Sequence, residues 1–206
     1  MRIAFIGPIG SGKTTMSRAL SQKTGGMILS FASELKQEVT NFILDKVQGK
    51  IITNIPQDAH DIYEKIPLES IWKIQKLPRE NTIKELLEDR KTKEDFREIL
   101  QWWGTEFRRK TDDNYWINKL QNNLNITPPS NLFSVFVDDC RFKNEYTSLI
   151  KNDFIFIKLA PNPDFISDSK KSSHASETDW KKFKTKATLD WKSTEERVHE
   201  VINNFK

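Results

Sequence analysis

A chain of 206 residues suits one α/β domain with a sizeable core and leaves two full domains cramped. Hydrophobic residues at 36% and charged residues at 30% mark a soluble globular protein, and no apolar run is long enough to cross a bilayer, so no membrane partner is expected. The 33 Lys and Arg against 29 Asp and Glu give a net charge of +4, spread along the chain without a basic tail; this excludes a polycationic arm but suits nucleic acid and free nucleotides equally.

The first segment, Ile3-Ala4-Phe5-Ile6, reads as a buried strand. Directly after it, Gly7-Pro8-Ile9-Gly10-Ser11-Gly12-Lys13-Thr14 is a full match to the phosphate-binding loop G-x-x-x-x-G-K-[ST]. In such a loop the glycines let backbone N–H groups turn around the α- and β-phosphates, Lys13 reaches the β/γ-phosphates, and the Thr14 hydroxyl is placed for Mg²⁺. The helical pattern that starts at Lys13, with Met16, Ala19 and Leu20 apolar, would aim the positive end of its dipole at the same phosphates.

Gly25-Gly26 supplies a helix stop, and Met27-Ile28-Leu29-Ser30-Phe31 reads as a second strand that completes a βαβ unit. Ser33 is placed to cap a helix carrying Leu35, Val39, Phe42 and Ile43. Between Gln48 and Arg90 the pattern is broken by Pro56, Pro67 and Pro78, while Ile62, Tyr63, Ile66, Ile71, Trp72 and Ile74 still offer core material. A partly helical insertion at about 48–90 is expected there.

Thr92 with Asp95 resembles a capping box for a helix whose apolar stripe is Phe96, Ile99, Leu100, Trp103 and Phe107. At about 100° per residue, Arg97, Gln101 and Arg108 fall within about 40° of one another, provided the helix runs through Gly104. That stripe is either a grip for an anion or a solvated face. A further helix carries Trp116, Ile117, Leu120 and Leu124 and ends before Pro128-Pro129.

The apolar run 132–137 then leads into Asp138-Asp139, and a carboxylate at the end of such a strand serves either Mg²⁺ or a plain turn or cap. A helix over 143–151, a strand over 154–159, a polar loop, a short strand over 187–191 and a helix with Val198, Val201, Ile202 and Phe205 complete the chain. Strands alternating with helices predict one domain over 1–206: a three-layer α/β sandwich of the P-loop NTPase type, with a mainly parallel central sheet and a helical insertion. Cys140 is alone, and His60, His174 and His199 are scattered without zinc-ligand spacing. With no signal-peptide pattern at the N-terminus, a cytoplasmic location is expected.

Several separated motifs together resemble the deoxynucleoside monophosphate kinases of bacteriophages, a branch of the adenylate-kinase-like P-loop kinases. They are the loop 7–14; Phe31-Ala32-Ser33-Glu34-Leu35-Lys36; Arg97 with Leu100-Gln101-Trp102-Trp103-Gly104-Thr105-Glu106 and Tyr115-Trp116; Asp139-Cys140-Arg141-Phe142 with Asn144-Glu145; and His174-Ala175-Ser176-Glu177. The resemblance covers most of the chain outside 48–90. It implies transfer of the γ-phosphoryl group of ATP to a deoxynucleoside 5′-monophosphate in the presence of Mg²⁺, in the host cytoplasm if the chain is phage-encoded.

By the same resemblance, Gly10, Ser11, Gly12, Lys13, Thr14 and Thr15 hold ATP, and Thr14 and Asp139 hold the metal. Lys13, Asp139 and Arg141 serve catalysis, with Arg141 bridging phosphates. Lys36, Arg97, Gln101, Trp116 and either Arg108 or Arg109 meet the acceptor, whose sugar and base would lie near Trp102, Trp103, Tyr115 or Trp116. The helical arithmetic favours Arg108. His174 and Glu177 fit the pattern as ligand contacts or as loop supports, the Asp138-Asp139 doublet leaves the metal carboxylate open, and no arginine-rich lid is identifiable. Competing readings are a P-loop kinase for another small molecule such as dephospho-coenzyme A or a nucleoside, a nucleic-acid-binding P-loop ATPase, and a regulator without transfer activity. Small nucleotides are the expected partners, nucleic acid is not, and a homodimer is compatible with the sequence.

Overall fold

The computed structural model describes residues 1–50, 62, 64–74, 78–89, 91–125, 133–163 and 179–205. They divide into two compact units, Met1–Phe31 with Ile117–Lys206, and Ala32–Trp116. Pro56, His60, Tyr63, Arg90, Pro128-Pro129, His174, Glu177 and the side chain of Ile74, singled out above, lie outside the described residues.

The first unit is α/β. Its strands are β1 (Arg2–Ile6), β2 (Met27–Leu29), β3 (Val135–Val137), β4 (Ile155–Leu159) and β5 (Ala187–Leu189), in the order β2-β3-β1-β4-β5. All pairings are parallel, with Ile3 opposite Phe136 and Ile155, and Ile28 opposite Phe136. Parallel strands in mid-sheet are covered on both faces and therefore read as unbroken apolar runs; Ile3 to Ile6 and Val135 to Val137 are buried throughout. One face packs Ile3, Phe5, Phe136, Ile157, Leu159 and Leu189 against Met16 and Leu20 of α1 (Lys13–Thr24) and Val198 and Val201 of the C-terminal helix (Thr194–Phe205). Gly25 ends α1 as expected, left-handed at φ 71° with its N–H on Ser21 O.

The connections place the functional loops. From β1 the chain passes through α1 to β2 on one side, and from β3 it passes through the helix Lys143–Lys151 to β4 on the other side of β1. In open α/β sheets ligands bind at the carboxyl ends of strands where the connections diverge in this way. Residues 7–12 follow β1 and the Asp138-Asp139 pair follows β3, the two adjacent strands from which the connections diverge.

Strand ends differ from the sequence reading. β2 stops at Leu29, and Phe31 opens the helix α2 (Phe31–Val47), so the cap falls before the expected Ser33. β5 stops at Leu189, leaving Trp191 off the strand and 38% exposed.

The second unit is helical. After α2 come α3 (Leu68–Ile74) and α4 (Glu80–Glu88), so the described part of the expected insertion does contain helices. Ile62, Ile66, Ile71, Ile83, Leu86 and Leu87 are buried; Trp72, read as core material, is 49% exposed. The capping box at Thr92 does not form: the Thr92 hydroxyl donates to Leu86 O at 2.8 Å, and residues Lys93–Phe96 make a 3₁₀ turn. Next is α5 (Arg97–Gln101), which continues as a π-helix over Trp102–Arg109. A π-helix closes i→i+5 rings and advances fewer degrees per residue, so face arithmetic at the α-helical rate fails beyond Gln101. The helix α6 (Tyr115–Asn125) follows and passes into the first unit at Ile117; that unit also holds α7 (Lys143–Lys151) and α8 (Thr194–Phe205). Among the described residues no helix is long and apolar enough to cross a membrane.

Candidate functional site

The glycine-rich loop is shaped by close approach and by left-handed backbone. A side chain at Gly7 would meet Leu159 O at 2.6 Å, so the loop can leave β1 against the end of β4 only without one. Gly10 and Gly12 sit at φ 80° and 85°. Gly12 is the N-cap of α1 with no side-chain cap bond, and the first turn of α1 carries no acidic residue of its own. Ser11 is fully buried and its Oγ has no hydrogen-bond partner among the described residues, while Thr14 and Thr15 are exposed. Lys13 folds back over the loop, its Nζ donating to Gly7 O and Pro8 O at 2.8 Å each. Its ammonium is thus held at the loop by two carbonyls, a pairing that phosphate oxygens can replace.

The two carboxylates after β3 have different surroundings. Asp138 is 8% exposed, accepts a hydrogen bond from the Thr14 hydroxyl and lies within the field of Lys13. Burial first, and the neighbouring Asp139 second, push its pKa above the ordinary carboxylate value; Thr14 and Lys13 only partly offset this. Asp139 instead accepts from the Ser30 hydroxyl at 2.6 Å and the Phe31 N–H at 3.0 Å, so it caps the first turn of α2 from 108 residues away. The family-like pattern favours Asp139 for the metal, but the carboxylate beside Thr14 and Lys13 is Asp138. Successive side chains leaving a strand point to opposite sides, which is how adjacent residues reach such different partners. Arg141 is partly buried, and its backbone N–H, with that of Phe142, donates to the buried Glu145 carboxylate at 2.7 and 3.0 Å.

In the second unit a single carboxylate organises the candidate acceptor residues. Glu38 of α2 accepts the Trp103 indole N–H at 2.9 Å and the Arg108 Nε–H at 2.7 Å on Oε2, and the Tyr115 hydroxyl at 2.5 Å on Oε1. Burial alone would raise its pKa; the three donors and the Arg108 charge outweigh it and hold Glu38 below the ordinary carboxylate value. Burial and the same carboxylate push the Tyr115 hydroxyl up to about 12, so it remains a donor at neutral pH. The Arg108 guanidinium lies 4.6 Å from the Phe107 ring centre, 4.8 Å from that of Tyr115 and 5.6 Å from that of Trp103. Glu38 takes Nε, and among the described residues the two terminal nitrogens of this ring-flanked guanidinium have no hydrogen-bond partner.

The other expected acceptor residues are placed differently. Arg97 pairs with Glu94 at 2.6 and 2.8 Å on the surface, not with the partner of Arg108, and Gln101 is exposed. The expected stripe is therefore divided by the change from α- to π-helix. Arg109 donates to Asp113 O at 3.3 Å on the exposed side. Lys36 pairs with Glu88 at 3.2 Å and lines an open groove of about 300 Å³ with Ser33, Gln37 and Lys84. Trp116 is 3% exposed with its indole N–H on Gly104 O at 3.0 Å, and Trp102 and Trp103 are also buried. Of the rings expected near an acceptor, Tyr115 and Trp103 lie beside Arg108, joined by Phe107.

Glu38 was absent from the sequence reading, although it carries a legible signal. It stands three residues after Leu35 and four before Phe42, a carboxylate on the apolar face of its helix. Among the described residues no group of three or more His, Cys, Asp and Glu gathers as a metal site. No protein-family model matches the chain, and no curated protein is similar to it at a significant level.

Proposed function

We propose that the chain is a P-loop kinase, its parallel sheet the middle layer of a P-loop sandwich, that transfers the γ-phosphoryl group of ATP to a deoxynucleoside 5′-monophosphate. The observation that carries this reading is the grouping of Lys13, Thr14 and Asp138 at the carboxyl end of β1 and β3, at the first turn of α1. Both reactants are anionic, so catalysis needs cations and oriented N–H groups more than a base; the attacking phosphate oxygen is already ionised. Backbone N–H groups of residues 10–15 would cradle the donor phosphates, with Lys13 moving from the Gly7 and Pro8 carbonyls to phosphate oxygens. Arg108, braced by Glu38, Tyr115 and Phe107, would hold the acceptor phosphate.

Thr14 and Asp138 would hold Mg²⁺, which when bound neutralises charge on the phosphates. The donor set fits: Mg²⁺ at such sites takes one or two side-chain oxygens and completes its shell with water and phosphate, so a hydroxyl beside one carboxylate suffices. The resemblance to phage deoxynucleotide kinases supplies the acceptor class; the physical support is an anion-holding arginine between rings. Lys13→Ala tests the donor side. Turnover with Mg-ATP should fall at least about a hundredfold while the thermal melt still shows a cooperative fold, and near-normal turnover would refute the assignment.

A further inference from the structure

Arg197 of α8 is 3% exposed. Burial disfavours its charge, the nearby Glu200 and Asp190 carboxylates only partly offset this, and three carbonyls and a ring meet the guanidinium directly. Its Nε donates to Asp190 O at 2.8 Å, Nη1 to Ser11 O at 3.1 Å and Nη2 to Ala160 O at 3.3 Å. The Trp191 ring covers the guanidinium with 4.8 Å to its centre, and the edge of the same ring comes within 3.9 Å of where a Gly12 side chain would start. One side chain thus ties the glycine-rich loop to the residues following β4 and β5.

The Ser11 carbonyl belongs to the same planar trans peptide as the Gly12 N–H, and in such a unit the two groups point in opposite directions. Holding the carbonyl toward Arg197 therefore turns the Gly12 N–H away from it. Gly12, at φ 85° on one side of that peptide, would otherwise let the plane rotate. We propose that Arg197 is a positioning residue that fixes the Ser11–Gly12 peptide with its N–H directed at the phosphate chain of a bound nucleoside triphosphate. The inference rests on the nucleotide-binding reading of the loop. It assigns to Arg197 an effect on the phosphates and none on the base.

The test is calorimetric binding of Mg-ATP and of Mg-tripolyphosphate, which has the phosphates without sugar or base. Arg197→Met keeps much of the side-chain volume and removes the donors; Arg197→Lys keeps the charge and one reachable donor; Val201→Ala, on the same helix and fully buried, weakens packing without touching the loop. Arg197→Met should lose about tenfold in affinity for both ligands alike, the size of one well-oriented hydrogen bond to a charged group. Arg197→Lys should recover part of that loss, and Val201→Ala should bind within about twofold of wild type even where its melting temperature falls as far. Wild-type affinity in Arg197→Met overturns the proposal, as does an equal loss in Val201→Ala, which would mark a general effect of destabilisation. A loss confined to ATP overturns it too, since the defect would then concern sugar or base. Wild-type protein that binds neither ligand refutes the nucleotide reading itself, and this inference with it.

Discussion

Replacing Asp138 and Asp139 one at a time by Asn should move activity and stability in opposite directions. In the folded protein the Asp138 pKa is raised above its unfolded value, chiefly by burial and then by Asp139. A raised carboxylate pKa means that the ionised form costs the fold stability at neutral pH, a cost absent below the unfolded pKa and complete above the folded one. Asp138→Asn removes that charge but leaves an amide oxygen for Thr14, so the melting temperature at neutral pH should hold or rise. Transfer from Mg-ATP should nevertheless fall at least about a hundredfold, as when one strong electrostatic contributor is removed from a phosphoryl-transfer site. Asp139→Asn should show the reverse: it weakens the Ser30 and Phe31 contacts at the start of α2, costing about 1 kcal/mol as other lost helix caps do, with turnover changed by less than about fivefold. Steady-state turnover against Mg²⁺ concentration and thermal melts of the same preparations decide it. Loss of Mg²⁺-dependent turnover in Asp139→Asn with retention in Asp138→Asn would refute the reasoning.

Arg108→Ala should raise KM for the mononucleotide at least about tenfold and leave KM for ATP within twofold, because its terminal nitrogens are proposed to meet the acceptor phosphate; equal changes in both would exclude that role. Arg97→Ala, which breaks an exposed pair with Glu94, should alter neither by more than about twofold in the same assay. Glu38 has a folded pKa below its unfolded value, so its contribution to stability is present above the ordinary carboxylate pKa and lost as pH falls through the folded one. Urea unfolding across pH should show a gap between wild type and Glu38→Gln that is full near neutrality and closes in acid, and a constant gap would contradict the assignment.

What could be read from the sequence was what depends on neighbours along the chain. The phosphate-loop motif is contiguous, the mid-sheet strands are unbroken apolar runs because both faces are covered, and α7 falls on the expected 143–151. The start of α2 was misplaced because its cap, Asp139, arrives from a strand end far away in sequence. The choice between Asp138 and Asp139 turns on where β3 ends, and a shift of one residue exchanges the two sides of the sheet. Glu38 draws its three donors from 65 to 77 residues away, a meeting that no local pattern records. The division of Arg97 from Arg108 depends on a π-helix, whose register no apolar periodicity announced.

The central claim is transfer to a deoxynucleoside monophosphate, and its most direct test is a panel of ribo- and deoxymononucleotides incubated with Mg-ATP, followed by separation of the products. A kinase of this kind gives ADP and a deoxynucleoside diphosphate in equal amounts, formed only when an acceptor is present. ADP with free phosphate regardless of acceptor, preferential turnover of ribonucleotides, or no transfer to any member of the panel would contradict that claim.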